Sequence, residues 1–190
     1  MPVFLYENET FTGNIFAGEK ISGRTYEQCT FVRCDLSGAL FSRCTFVDCT
    51  FADCNLAMWK PAGSQLHNVS FVNCKLLGVS FAECADTLFI VTFGRCMLDY
   101  AVFSGKKMVK TSFEGCSLRG ADFSGCDLAK AVFADADLSG TVFNTTNLKE
   151  ADFSSALRYT IDPEVNNIRK ARFSMDGLAG LLSKYDITIG

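Results

Sequence analysis

Ten cysteines, one histidine and 21 carboxylates are the side chains of this 190-residue chain with the types to bind a metal or move a proton. Zinc sites draw on close pairs such as Cys-x-x-Cys, and the thiolate is the form that ligates or attacks. No such pair occurs. The cysteines stand at Cys29, Cys34, Cys44, Cys49, Cys54, Cys74, Cys84, Cys96, Cys116 and Cys126, every gap but one a multiple of five. That spacing belongs to a structural repeat of small buried side chains, not to disulfides or a metal cage. His67 has no second histidine to share a metal or relay a proton, and its place beside Leu66 reads as a solvent-facing position. Neither phosphate-binding glycine motif, G-x-x-x-x-G-K-[ST] or G-x-G-x-x-G, is present. The many Ser and Thr are accounted for by turns. These residues predict no catalytic group, no cofactor and no metal, and hence a protein that is not an enzyme.

The repeat that spaces the cysteines also spaces the large apolar residues. From Phe11 to Phe81 an apolar residue recurs every fifth position, the phase slips by two near Glu83 to Thr87, and the period resumes from Leu88 to Phe153. The 29 slots hold 15 of the 18 Phe, 10 Leu and one each of Ile, Tyr, Met and Pro. A period of five matches neither helix nor straight strand, so the chain must turn once per pentapeptide. If every fifth side chain points to a common axis, four turns close a square coil, and coils stack at the ~4.8 Å spacing of neighbouring strands.

The columns this predicts are homogeneous. One reads Phe11, Phe31, Phe51, Phe71, Phe93, Phe113, Phe133, Phe153, and the next Phe16, Leu36, Leu56, Leu76, Leu98, Leu118, Leu138. The third reads Ile21, Phe41, Pro61, Phe81, Phe103, Phe123, Phe143, and the fourth Tyr26, Phe46, Leu66, Leu88, Met108, Leu128, Leu148. The position two before each centre takes small residues, nine of the cysteines and Ala39, Ala101, Ala121, Ala131, Ala136 and Ala151 among them. Cys84 joins them if the first phase runs one unit past Phe81.

Units such as Ala121-Asp-Phe-Ser-Gly125, Cys126-Asp-Leu-Ala-Lys130 and Ala136-Asp-Leu-Ser-Gly140 resemble the A-(D/N)-L-x-x signature of the pentapeptide-repeat family. The resemblance covers roughly residues 11 to 155. It implies an all-β fold, a right-handed quadrilateral β-helix with a short C-terminal helical cap, divided into a β-helix over 1–155 and a capping and dimerisation segment over 156–190. In the tail, Pro163 after Asp162 reads as a first helical turn, Ser174 as the N-cap of a short helix through Leu178, Leu181 and Leu182, and Asp186 to Ile189 as a closing strand. Through Ile161-Asp-Pro-Glu-Val-Asn-Asn-Ile168 and Ala171-Arg-Phe-Ser174 the tail is similar to the topoisomerase-protecting members, the Qnr, MfpA, McbG and AlbG proteins, most of all the last two. Those members pair two subunits through the C-terminal helix into a rod that presents a DNA-like surface to DNA gyrase. Carried onto this chain, the resemblance implies a homodimer seam at Phe173, Leu178, Leu181, Leu182, Ile187 and Ile189, with gyrase as the protein partner.

Charge bears on the same reading. The net charge of −3 excludes holding nucleic acid by bulk positive charge. Residues 111 to 155 carry seven acids, Glu114, Asp122, Asp127, Asp135, Asp137, Glu150 and Asp152, against three bases, next to the expected seam. These are the candidate partner-binding carboxylates. No run approaches a membrane span and no charged n-region precedes an apolar run, so the expected location is the cytoplasm, without membrane or direct nucleic-acid contact. The expected function is protection of gyrase from a quinolone-, albicidin- or microcin-type poison, as a resistance or immunity factor. The alternative is a non-enzymatic scaffold for an unrelated protein. Three irregular places stand out. Ala57 to Gly63 puts Pro61 in a centre slot and exposes Trp59, either as a recognition corner or as a degenerate coil. Glu83 to Thr87 carries the slip, with no longer inserted loop of the kind relatives use in protection. Lys106, Lys107 and Lys110 form a solvated cationic face.

Overall fold

In the computed structural model, residues 4–185, 187 and 188 are described, and they form a parallel β-helix with a square cross-section. The coil is built from very short strands because each pentapeptide turns a corner: the residue two after most centres adopts a left-handed conformation, as Arg33, Asp53 and Arg95 do at φ of 53°, 55° and 52°. Backbone groups left unpaired within a coil are satisfied by its neighbours. The N–H of Leu36 donates to the carbonyl of Asn55 at 2.7 Å, and the N–H of Asn55 donates to the carbonyl of Cys34 at 3.0 Å.

The first face is a six-stranded parallel sheet, Thr10–Thr12, Thr30–Val32, Thr50–Ala52, Val69–Val72, Val91–Gly94 and Phe113–Glu114. Phe11, Phe31, Phe51, Phe71, Phe93 and Phe113 are in register on it. The step is 20 residues except across the insertion, where Phe71 pairs Phe93, Lys75 pairs Met97 and Ser80 pairs Val102. The first column holds as predicted, including its step of 22. The rings stack nearly parallel, with centroids 4.5 Å apart for Phe31 and Phe51 and 5.3 Å for Phe71 and Phe93. Rings on adjacent faces meet edge to face, the arrangement that aromatic quadrupoles favour. Each buried Phe contributes about 1.5–3 kcal/mol.

The small positions lie in the bore as expected, and all ten cysteines are free and buried. Thiols here donate to backbone carbonyls: Cys49 to Tyr26 and Cys54 to Phe31, both at 3.3 Å. Burial pushes the Cys49 and Cys84 thiols up to about 12, so they are protonated and inert.

Three sequence expectations are corrected. Trp59 is not exposed; 1% of its surface is accessible, and it occupies a small position in the bore against Phe41, Phe46, Phe51 and Phe71. Pro61 two residues later is the smallest centre in a Phe column, and the indole fills the room it leaves. Leu88 does not fill the fourth column. It is 57% exposed at a φ of 56°, while Phe89 is turned inward against Phe81. Lys106 is not solvated: it is 3% exposed, and its ammonium donates to the Cys84 carbonyl at 2.6 Å and to the Asp86 carboxylate, above the Phe89 ring. Lys107 and Lys110 are exposed.

The ladder runs across the boundary expected at 155/156. Asn147 pairs Asn167, Asp152–Phe153 pairs Arg172–Phe173, and the Phe153 and Phe173 rings stack at 5.3 Å. Residues 163–166 form a turn in which Asp162 accepts the Glu164 N–H at 2.9 Å, so no helix starts at Pro163. Ser174 is not the N-cap of the helix, which runs from Ala179 to Leu182 with Leu178 at its N-cap; the Ser174 hydroxyl instead accepts the Gly177 N–H at 3.1 Å in the turn before it. Of the expected closing strand, Ile187 and Thr188 form none, and Asp186 and Ile189 lie outside the described residues.

Candidate functional site

Four of the seven candidate carboxylates follow one rule of the coil. A residue one before a centre points out of the face that the centre points into. Bridges to the neighbouring coils put Asp152 on the first face, Asp137 on the second, Asp122 on the third and Asp127 on the fourth. Glu114 follows Phe113 on the first face, and Asp135 and Glu150 are left-handed residues at corners, with φ of 53° and 59°. The structure therefore distributes these acids around the rod and gathers them into no single patch.

Most of them are already engaged. Asp137 is buried and accepts from Arg119 Nε and Arg158 Nη2, each at 2.6 Å. The Arg158 guanidinium, with Ser139 and Arg119 adding to it, holds the Asp137 carboxyl far below the usual carboxylate range. Asp152 accepts from Ser154 Oγ at 2.6 Å and pairs Arg172 at 3.1 Å, and these contacts, Ser154 first, lower its pKa despite some burial. Glu150 pairs Lys130 at 3.5 Å and Lys149 at 3.7 Å. Asp122 accepts from Ser104 and Ser124, and Asp127 from Asn147 and the Ala129 N–H. Glu114 and Asp135 accept no ion pair among the described residues. Arg119 stands among the three bases of residues 111 to 155, but Arg158, the second arginine on Asp137, lies outside that stretch and is the residue that counting charge along the chain misses. The signal was present: residues sharing a face differ by 20, as Asp137 and Leu157 do, which puts Arg158 within reach.

The six candidate seam residues divide. Phe173 is the last ring of the first column, against Phe153 and Tyr159, and Leu181 packs on the core. Leu178, Leu182 and Ile187 are exposed, with Met175 and Tyr185 beside them in sequence, and Ile189 lies outside the described residues. The cap is fastened at several points. Gly177 and Gly180 lie so close to Tyr159 that a Cβ on either would collide with it. The Ile161 N–H donates to the Gly180 carbonyl at 3.0 Å. Lys184 donates to Asp162 at 2.7 Å and Glu164 at 2.6 Å, and the Tyr185 hydroxyl donates to Glu164 at 2.8 Å. The Lys184 ammonium draws the carboxyl pKa of both acids down.

His67 is half-buried on the fourth face, paired with Val47. No group of three or more His, Cys, Asp or Glu arranged to hold a metal ion occurs among the described residues. No helix among them is long and apolar enough to cross a membrane.

Comparison with known proteins agrees with this architecture. A family model described as a pentapeptide repeat region matches residues 25–103 and 64–133, and one for eight copies of the pentapeptide repeat matches 126–156. Comparison with curated proteins gives no match. Among solved structures, trypsin-treated QnrB1, a plasmid-mediated fluoroquinolone resistance protein, is similar with a TM-score of 0.52 at 20% identity, covering 99% of this chain and 98% of that one. HetL, involved in heterocyst differentiation regulation in the cyanobacterium Nostoc, gives 0.33 at 16% identity, covering 92% and 88%. The five-residue repeat, the stacked square coils and family models that together span residues 25 to 156 lead to one conclusion: this chain belongs to the pentapeptide repeat family.

Proposed function

We propose that this protein binds DNA gyrase and protects it from a topoisomerase poison, without catalysis, as a resistance or immunity factor. The observation that carries the reading is the end-to-end likeness in fold to QnrB1, a fluoroquinolone resistance protein, over 99% of this chain. The physical dimensions support it. Nine rings in the first column, Phe11 to Phe173, are separated by eight steps. At ~4.8 Å each they span ~38 Å, close to the ~34–36 Å of one turn of B-DNA. Carboxylates on all four faces suit a partner that wraps a duplex, whereas a flat contact would use one or two.

The same proposal makes the protein a homodimer joined through the exposed Leu178, Leu182 and Ile187 beside the Ala179–Leu182 helix. A rod of two such copies would offer gyrase about twice the length. One observation favours the rival scaffold reading: five of the seven acids are tied to side chains of their own chain, which weakens the field a basic surface would feel. Supercoiling by purified gyrase, titrated with this protein in the presence of a quinolone, albicidin or a microcin, separates the two. Rescue by one poison supports protection and names its specificity. No effect at micromolar protein supports the scaffold.

A further inference from the structure

The two-residue insertion opens a cleft of about 350 Å3 lined by Leu88, Phe89, Ile90, Met108 and Val109, with Asp86, Lys107 and Thr111. That volume lies within the ~300–1,000 Å3 of small-ligand sites. Leu88, Ile90 and Val109 are exposed there although all three are apolar.

The polar residues of the cleft are not equivalent. The Asp86 carboxylate is committed to the buried Lys106 ammonium. The Lys107 ammonium makes no ion pair among the described residues, and Asp127, its strand neighbour, accepts from Asn147 and the Ala129 N–H. Thr111 is 6% exposed, and its hydroxyl makes no hydrogen bond among the described residues. Three other hydroxyls occupy the same repeat position, and each donates to a carbonyl 23 residues earlier: Ser64 to Phe41, Thr141 to Leu118 and Thr146 to Phe123. Counting back 23 from Thr111 reaches Leu88, whose left-handed backbone at a φ of 56° has left the ladder. A hydroxyl donor that is not shut off from solvent is thus deprived of its acceptor beside an unpaired ammonium and an apolar wall.

We propose that this cleft binds a small apolar monocarboxylate, its body against Phe89, Ile90 and Met108 and its carboxylate between Lys107 and Thr111. A hydroxyl without an acceptor in its own chain is free to donate to a ligand, and a charged acceptor is the strongest partner such a donor takes.

The test is a titration of methyl-labelled protein with sodium octanoate, 1-octanol and octylammonium chloride, followed by NMR. Octanoate is expected to saturate, with shifts confined to the methyls of Leu88, Ile90, Met108 and Val109. Octanol is expected to bind about tenfold more weakly, as is octanoate to Lys107→Ala or Thr111→Val, since each change removes one charge-assisted contact. Both variants should keep the wild-type melting temperature. Equal affinity for octanol and octanoate would overturn the proposal, as would shifts centred on Leu178 and Leu182. Shifts in the cleft on adding gyrase, with none for octanoate, would overturn it in favour of a protein contact.

Discussion

Phe113 lies face to face with Phe133 one coil away, ring centroids 5.1 Å apart and planes 4° from parallel. It stacks on Phe93 on its other side and meets Phe103 and Phe123 edge-on, so its removal strips contacts from four neighbours. Phe113→Ala is expected to cost about 3–5 kcal/mol in denaturant unfolding. The exposed Lys107→Ala should stay within about 0.5 kcal/mol. Equal effects would contradict the column packing.

Trp59 and Pro61 exchange sizes, a large residue in a small position beside a small residue in a large column. Trp59→Cys alone should cost about 3–5 kcal/mol by leaving a cavity. Pro61→Phe alone should cost about 1–3 kcal/mol by overpacking. The double variant should recover most of the sum, because the two side chains share one volume. A double variant as unstable as the two singles added together would show that they do not.

Lys106 and Asp86 pin the insertion to the bore. Asp86→Asn leaves a buried ammonium without its counterion and should destabilise by about 1–3 kcal/mol. Lys106→Met keeps the aliphatic stem and removes the charge, so it should cost less. Unfolding midpoints of the two variants in the same buffer decide the order, and the reverse order would mean that exposed Asp86 contributes nothing.

Asp137, between Arg119 and Arg158, makes stability depend on acid. Its folded pKa is depressed, so its contribution is complete above the unfolded value of ~3.9 and is lost as pH falls through the folded one. Stability should be level above about pH 5 and fall below about pH 4. Asp137→Asn should be less stable at neutral pH and show a shallower acid slope, read from melting temperatures between neutral pH and about pH 2.

Leu182 separates the proposed dimer from the fold of its own cap, since it is exposed whereas Leu181 packs on the core. Leu182→Asp is expected to yield a folded monomer by light scattering, without protection of gyrase. A variant that stays dimeric would remove the seam from this surface.

Much of this molecule is legible in one dimension. Every coil repeats the same interactions with its neighbours, so a period of five and a return of 20, or 22 at the insertion, define the columns, the inward Phe and the buried cysteines without knowledge of distant contacts. The faces of the acids were equally readable: no two of the seven differ by 20, and none therefore stacks directly on another. What the repeat leaves open lies where it breaks. Between adjacent Leu88 and Phe89 an apolar period has no preference, and only the space against Phe81 turned Phe89 inward. Trp59 and Lys106 sit in positions marked small, and their burial rests on other segments, the rings of Phe41, Phe46, Phe51 and Phe71 around the indole in one case and the Asp86 counterion in the other. Composition counted Asp137 as surface charge, yet Arg119 and Arg158 reach it from the neighbouring coil and the C-terminal turn. Local spacing determined the coil because the coil's energy is local. Size, charge and hydrogen bonding at its irregular places were decided by tertiary structure, because there each side chain answers to residues outside its own repeat.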